Sequence, residues 1–241
     1  MDKFMGELRN KVVLITGGSK GIGFGVAEAL INEGARVALT SRHQRAAEEA
    51  ADRLNKVGKG EAMGLVADVR DALAQKKAVD AVVKKWGTLD VLVANAGLGH
   101  FGNIETLTPD QWNETIDTNL TGVFYSIKSS IAALKRSKGY IITVASLAGT
   151  NFFAGGSAYN ASKFGLVGFT QAVMLDLRGH GIKVTTIMPG SVSTEFSGAH
   201  PHPEDSWKIQ PEDIGQIVID LLKMHPRTLP SKVEVRPSMP K

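Results

Sequence analysis

Short apolar, β-branched runs alternate with longer helix-patterned segments along almost the whole chain, and that alternation restricts the fold more than any other feature. The runs are KVVLIT (11–16), RVALTS (36–41), EAMGLVA (61–67), LDVLVAN (89–95), YIITVAS (140–146), KVTTIM (183–188) and KVEV (232–235). Helical patterns lie near 22–33, 44–57, 71–86, 109–135, 157–178 and 211–224. Strands that are apolar nearly throughout, rather than at alternate residues, are strands covered on both faces. Interleaved with helices, they predict an α/β fold: one doubly wound, seven-stranded parallel sheet with helices on both faces. No repeat, low-complexity tract or linker divides the chain, so residues 1–241 are expected to form a single domain.

Composition then removes several function classes. There is no run of about 18 apolar residues, so no membrane span or membrane partner is expected. The opening MDKFMGELRNKVVLITGG lacks a signal-peptide core and cleavage site, because VVLIT is short and runs straight into a glycine turn. The absence of cysteine excludes disulfides and thiolate metal sites and fits a cytoplasmic location. The formal charge is +4, but Lys and Arg are scattered among acids, as in RAAEEAADRLNK, and form no basic stripe for nucleic acid. The histidines do not gather at metal spacing, and His200 and His202 are expected to face solvent.

VVLITGGSKGIGFGVAEAL reads as strand, glycine turn and helix. Gly17, Gly21 and Gly23 permit close approaches that a side chain would block. A helix beginning near Ile22 aims free N–H groups and a positive dipole end at the turn, a setting for pyrophosphate. The spacing G-x-x-x-G-x-G differs from the G-x-G-x-x-G fingerprint, yet its place in the first β–α unit points to dinucleotide binding and a Rossmann-type domain. About 20 residues on, where an NAD site places an acid for the ribose, the chain reads LTSRHQR. Ser41 is followed by Arg42, with no carboxylate. Arg42 and Lys20 offer two positive charges to a 2′-phosphate, so the expected cofactor is NADP(H).

Further on, SAYNASKFGLVGFT sets Tyr159 and Lys163 four residues apart, on one face of a helix. With the segments around it, this stretch makes the chain resemble the short-chain dehydrogenase/reductase family over residues 10–195, in matching order. TGGSKGIG (16–23) looks like the family's cofactor turn and brings Ser19 and Ile22 into the site. ADV (67–69) is similar to the segment whose acid, here Asp68, contacts adenine beside Val69. NAG (95–97) supplies Asn95, Ala96 and Gly97 next to the cofactor, Asn95 chiefly as a brace. PGSVST (189–194) supplies Pro189, Gly190, Val192 and Thr194 at the nicotinamide end. The resemblance implies a catalytic tetrad of Asn119 in DTNLTG, Ser146 in TVASLAG, and Tyr159 and Lys163 in YNASK. It further implies that Lys163 holds the nicotinamide ribose and that Asn119 belongs to a water chain resupplying protons. The acyl-carrier-protein reductases of fatty-acid synthesis share these motifs.

The implied reaction is NADPH-dependent reduction of a ketone or aldehyde to an alcohol, with Tyr159 as general acid and Ser146 polarising the carbonyl. A free phenol has a pKa of about 10, and lowering it by about 3 units takes roughly 4 kcal/mol of phenolate stabilisation. A nearby ammonium can supply that, and Lys163 is expected to do so. The expected partner is a small-molecule carbonyl compound, acyl thioesters included. Two alternatives share the fold: a non-catalytic NADP(H)-binding regulator and an NAD-preferring alcohol dehydrogenase. The segment 195–210, with its prolines and lack of periodicity, is the expected substrate loop, and His100 and Phe101 are candidate pocket walls. Helices near 116–134 and 157–178 are apolar on more than one face, which predicts a homodimer or homotetramer. The ending LPSKVEVRPSMPK lacks the glycine pair that many family members use for a second contact, so that choice stays open.

Overall fold

All seven apolar runs become strands in the computed structural model, which describes residues 8–198 and 200–239. They are β1 (Val12–Ile15), β2 (Arg36–Ser41), β3 (Glu61–Val66), β4 (Val91–Ala94), β5 (Tyr140–Val144), β6 (Lys183–Pro189) and β7 (Lys232–Val235). The helices are α1 (Gly21–Asn32), α2 (Gln44–Val57), α3 (Ala72–Trp86), α4 (Pro109–Ile116), α5 (Gly122–Ser137), α6 (Ser157–Leu177) and α7 (Pro211–Lys223). The strands form one sheet, parallel at every pairing, in the order β3-β2-β1-β4-β5-β6-β7.

The alternation of side chains along each strand explains why apolar residues run without interruption. In β1, Val13 and Ile15 join Leu30 of α1, Leu54 of α2 and Val218 of α7 on one face. Val12 and Leu14 point the other way, to Val82 of α3, Ile127 of α5 and Leu166 of α6. Each such side chain, fully buried, stabilises the fold by about 2 kcal/mol relative to exposure. Helix ends follow local chemistry. Asp71 Oδ1 accepts from the N–H groups of Leu73 and Ala74 to start α3, and Gly87 closes it at φ +81°. Thr108 and Gln111 form a reciprocal capping box ahead of Pro109 at the start of α4.

The structure departs from the sequence reading in one helix and adds detail to one loop. The expected single helix over 109–135 is α4 and α5 joined by a π turn, Asp117–Thr121, in which the Gly122 N–H reaches the Asp117 carbonyl. The wider turn inserts an extra residue, and Asn119 within it is completely buried. The segment 195–210 is a loop as expected, but it is tied down at its base. Val192 pairs with Ile209 in a parallel bridge, and Phe196–Gly198 and Pro203–Trp207 form short 3₁₀ turns. His202 caps the second turn by accepting the Glu204 N–H. Strand order reverses between β1 and β4, which opens a crevice at the carboxyl ends of the sheet.

Candidate active site

A cleft of about 650 Å³ occupies that crevice. Nineteen of the twenty-one residues expected from sequence to be catalytic or cofactor-binding line it; Gly23 and Asn119 do not. The floor is the β1–α1 turn. Gly17 and Gly21 adopt φ of +63° and +55°, conformations that only glycine takes without strain. A Cβ on Gly23 would stand 2.5 Å from Asn95 Nδ2 and 2.6 Å from the Gly17 carbonyl, so the turn and the Asn95 side chain close on each other only around glycine. Asn95 is a brace here: its Nδ2 donates to the Thr16 and Gly17 carbonyls, while Thr16 Oγ1 accepts the N–H groups of Asn95 and Ala96. No side chain caps the first turn of α1. Its N–H groups and dipole therefore face the cleft, and the glycine cradle fits a dinucleotide pyrophosphate.

Around Lys20, Arg42 and Asp68, charges are paired in ways the sequence did not reveal. Lys20 Nζ binds Glu195 Oε2 at 2.9 Å, across the cleft mouth. Arg42 Nη1 lies 3.8 Å from Glu114 on α4 and remains about half exposed. Glu114 is a hub: it also takes Arg70 at 3.4 Å and His100 at 2.8 Å, and the His100 contact is the main reason its carboxyl sits below the usual range. His100 is thus turned to Glu114, and Phe101 packs on the Tyr159 ring; neither is among the residues that line the cleft. Asp68 is held low mainly by Arg70, which grips its carboxylate through Nη2 at 2.7 Å.

Ser146, Tyr159, Lys163 and Asn119 are brought together by the end of β5, the start of α6 and the π turn before α5. Ser146 follows β5 in an extended conformation, and its Oγ accepts the Ala148 N–H. Tyr159 and Lys163 share one face at the start of α6, with Lys163 Nζ 5.7 Å from the phenol ring centre. Lys163 is buried at 4% exposure and donates to the Val144 carbonyl at 3.0 Å. Burial brings its pKa down to about 8. The expected depression of Tyr159 by Lys163 is not what the protein alone displays: burial pushes the phenol up, with a hydrogen bond from Ser146 the lesser, opposing influence. Both side chains are desolvated together, and desolvation favours the neutral form of each. Asn119 uses its side chain to tie two segments together. Its Nδ2 donates to the Leu98 carbonyl and Ser162 Oγ, and its Oδ1 accepts the Leu98 N–H, which fastens the β4 loop to α6. Gly97 lets both partners come near, since a Cβ there would meet Asn119 Oδ1 at 3.2 Å and Lys163 Nζ at 3.6 Å.

The short chain dehydrogenase family model matches residues 11–205, the span that carries every one of these groups. The chain belongs to that family. Among curated members, it is 34% identical to the 3-oxoacyl-[acyl-carrier-protein] reductase FabG of Escherichia coli, over 80% of this chain and 78% of that one. It is 32% identical to the glycine betaine reductase ATRR of Emericella nidulans over 96% of its own length, but spans only 19% of that protein. An alcohol dehydrogenase from the archaeon Thermococcus sibiricus, complexed with 5-hydroxy-NADP, superposes with a TM-score of 0.91 at 29% identity, covering 97% of this chain and 100% of the other. A 3-ketoacyl-(acyl-carrier-protein) reductase from Brucella melitensis, complexed with NADH, gives 0.86 at 26% identity, covering 96% and 98%.

Beyond this family's shared motifs, the fold brings in residues that the sequence reading passed over. Glu195 and Phe196 line the cleft from the loop after β6. Phe196 and Phe101 both pack against the Tyr159 ring, at 5.7 and 5.4 Å between centroids. Asn160, next to Tyr159, ties down the loop after Ser146: its Nδ2 donates to the carbonyls of Ala148 and Asn151, and its Oδ1 accepts the Phe153 N–H. A buried asparagine inside an otherwise apolar helix was the one sequence signal for it. Among the described residues, no cluster of His, Cys, Asp and Glu could hold a metal, and no helix is long and apolar enough to cross a membrane.

Proposed function

We propose that this short chain dehydrogenase is an NADPH-dependent reductase of small-molecule ketones or aldehydes, with Tyr159 as the general acid. The observation that carries the reading is the convergence of Ser146, Tyr159 and Lys163 on one cleft, directly above a glycine cradle suited to a dinucleotide. The bound nicotinamide cofactor supplies the hydride. Ser146 Oγ and the Tyr159 hydroxyl hold the carbonyl oxygen, and the phenol passes its proton to that oxygen as negative charge develops. A phenol whose pKa is raised by burial stays protonated through the neutral range, which is the state a reductase needs before each turnover. Lys163, mostly an ammonium at neutral pH with a pKa of about 8, stabilises the phenolate left behind and hands on the replacement proton.

Cofactor choice rests on Ser41, Arg42 and Lys20, all lining the cleft, and on the missing carboxylate at the end of β2. Arg42 is held only loosely by Glu114 and is free to turn to a 2′-phosphate, whereas Lys20 has to exchange Glu195 for it. The reading also includes a cytoplasmic setting and self-association through α5 and α6, where Phe124, Phe164 and Leu175 stay exposed. The test is consumption of NADPH and NADH by the purified protein over a ketone and aldehyde panel. Turnover with NADPH preferred supports the reading. Tight NADPH binding with no turnover on any carbonyl favours a cofactor-binding regulator instead.

A further inference from the structure

We infer that the substrate is an uncharged, apolar ketone, with an aryl ring or hydrocarbon chain beside the carbonyl, taken free from solution and not from an acidic carrier protein. This rests on the reductase reading and narrows it. The ring of Tyr159 is flanked by Phe101 at 5.4 Å and Phe196 at 5.7 Å, and Phe101 in turn meets Phe196 at 6.4 Å and Phe153 at 6.0 Å. These phenylalanines come from three separate loops, yet they gather at the one side chain proposed to give the proton. The backbone makes room for them. A Cβ on Gly99 would stand 2.7 Å from the Phe101 ring and 3.2 Å from that of Phe196, and one on Gly156 would stand 2.6 Å from Phe153.

The loops are fastened to one another. The Gly102 N–H donates to the Gly155 carbonyl at 2.9 Å, and Ser197 Oγ donates to the Gly99 carbonyl at 2.8 Å. Yet the rings themselves remain open to solvent: Phe101 is 50% exposed, Phe153 49% and Phe196 38%, with Phe152 beside them at 86%. Phe196 lines the cleft itself, and Phe101 and Phe153 carry the apolar surface outward from Tyr159; large apolar surface left open beside a cleft is surface for an apolar ligand. Three polar side chains of the same loops are already committed within the protein, although the buried Ser157 hydroxyl has no partner among the described residues. His100 is bound to Glu114, Ser197 to Gly99, and Asn151 to the Leu147 carbonyl, so a hydroxyl-rich substrate such as a sugar would find few partners here.

Charge argues against a carrier-bound substrate. Segments 98–106, 150–157 and 195–204, which hold the four phenylalanines, contain no Lys or Arg, but do contain Glu105, Glu195 and Glu204. Glu195 is paired with Lys20, so an acidic carrier docking over this mouth would meet the exposed Glu105 and Glu204, with no Lys or Arg in these segments to attract it.

The experiment measures kcat/KM with saturating NADPH for a series of methyl ketones of growing chain length, acetophenone, dihydroxyacetone, and an acetoacetyl group on acyl carrier protein. Wild type is compared with Phe101→Ala, and with Phe101→Leu as a milder change. The expected result is a rise of about fourfold per added methylene. Acetophenone should outrun both dihydroxyacetone and the carrier substrate, and Phe101→Ala should lower its kcat/KM about tenfold or more while the NADPH Kd is unchanged. Preference for the carrier-bound or hydroxylated substrate, or indifference to chain length, overturns the inference and leaves the reductase reading standing. If no ketone is turned over, the reductase reading falls. Saturable binding of acetophenone to the NADPH-loaded protein, weakened by Phe101→Ala, then keeps the apolar site, and its absence removes both.

Discussion

Replacing Lys163 by methionine separates the chemical demand on this residue from its effect on stability. In the ligand-free protein Lys163 is buried, makes one hydrogen bond to the Val144 carbonyl, and has its pKa brought down from 10.5 to about 8. That displacement corresponds to about 3 kcal/mol against the charged form in the folded state. Below about pH 8 both folded and unfolded chains carry the proton, so the full penalty is present. Between about pH 8 and 10.5 the unfolded chain keeps a proton that the folded chain has shed, so wild-type stability rises relative to a variant with no titrating group. From pH 7 to about 9.5 the gain should be about 2 kcal/mol. Methionine removes the charge but strands the Val144 carbonyl, which costs about 1–2 kcal/mol. Lys163→Met should therefore be as stable as wild type or more so at pH 7, less stable at high pH, and almost inactive throughout. The assay is urea unfolding of both ligand-free proteins across pH 7–9.5 at one protomer concentration. A stability difference that does not change with pH would refute the reasoning, because it would mean that Lys163 keeps its ordinary pKa in the folded protein.

Two further substitutions probe the cofactor cleft. Arg42→Asp should lower the NADPH-to-NADH ratio of kcat/KM by about 10- to 100-fold, since it replaces a charge-assisted contact with repulsion; steady-state kinetics with both cofactors checks this, and an unchanged ratio would remove Arg42 from phosphate recognition. Gly23→Ala puts a Cβ against Asn95 Nδ2 and the Gly17 carbonyl. The crowding should destabilise the fold by about 1–3 kcal/mol and weaken cofactor binding, read by thermal unfolding and by NADPH titration.

The sheet was legible because a doubly covered parallel strand leaves a one-dimensional mark: VVLI, VLVA and YIITV are buried at every position. The glycine turn and the Tyr159–Lys163 spacing are likewise local patterns, and the fold brings them to one cleft. What escaped the sequence reading depends on residues far apart along the chain. The π turn at Asp117–Thr121 contains no helix breaker; its only trace was an asparagine in an apolar helix. The ion pair between Arg42 and Glu114 joins β2's exit to α4, and nothing near either residue announces it. The direction in which the ligand-free protein shifts the Tyr159 phenol was hidden for the same reason. Spacing placed the lysine one turn away, but the desolvation that raises the phenol depends on how distant segments enclose the ring, with Phe101 and Phe196 packed against it. Of the aromatic wall, only Phe101 was marked beforehand, because Phe153 and Phe196 reach it from other loops.

The account turns on one proton donor, so the most direct measurement compares turnover and NADPH affinity in wild type and Tyr159→Phe. The variant keeps the ring and its contacts with Phe101 and Phe196 but has no proton to give. The account predicts that kcat falls about 100- to 10,000-fold while the NADPH Kd stays the same. A kcat near that of wild type would contradict it, and the proton would have to come from another group.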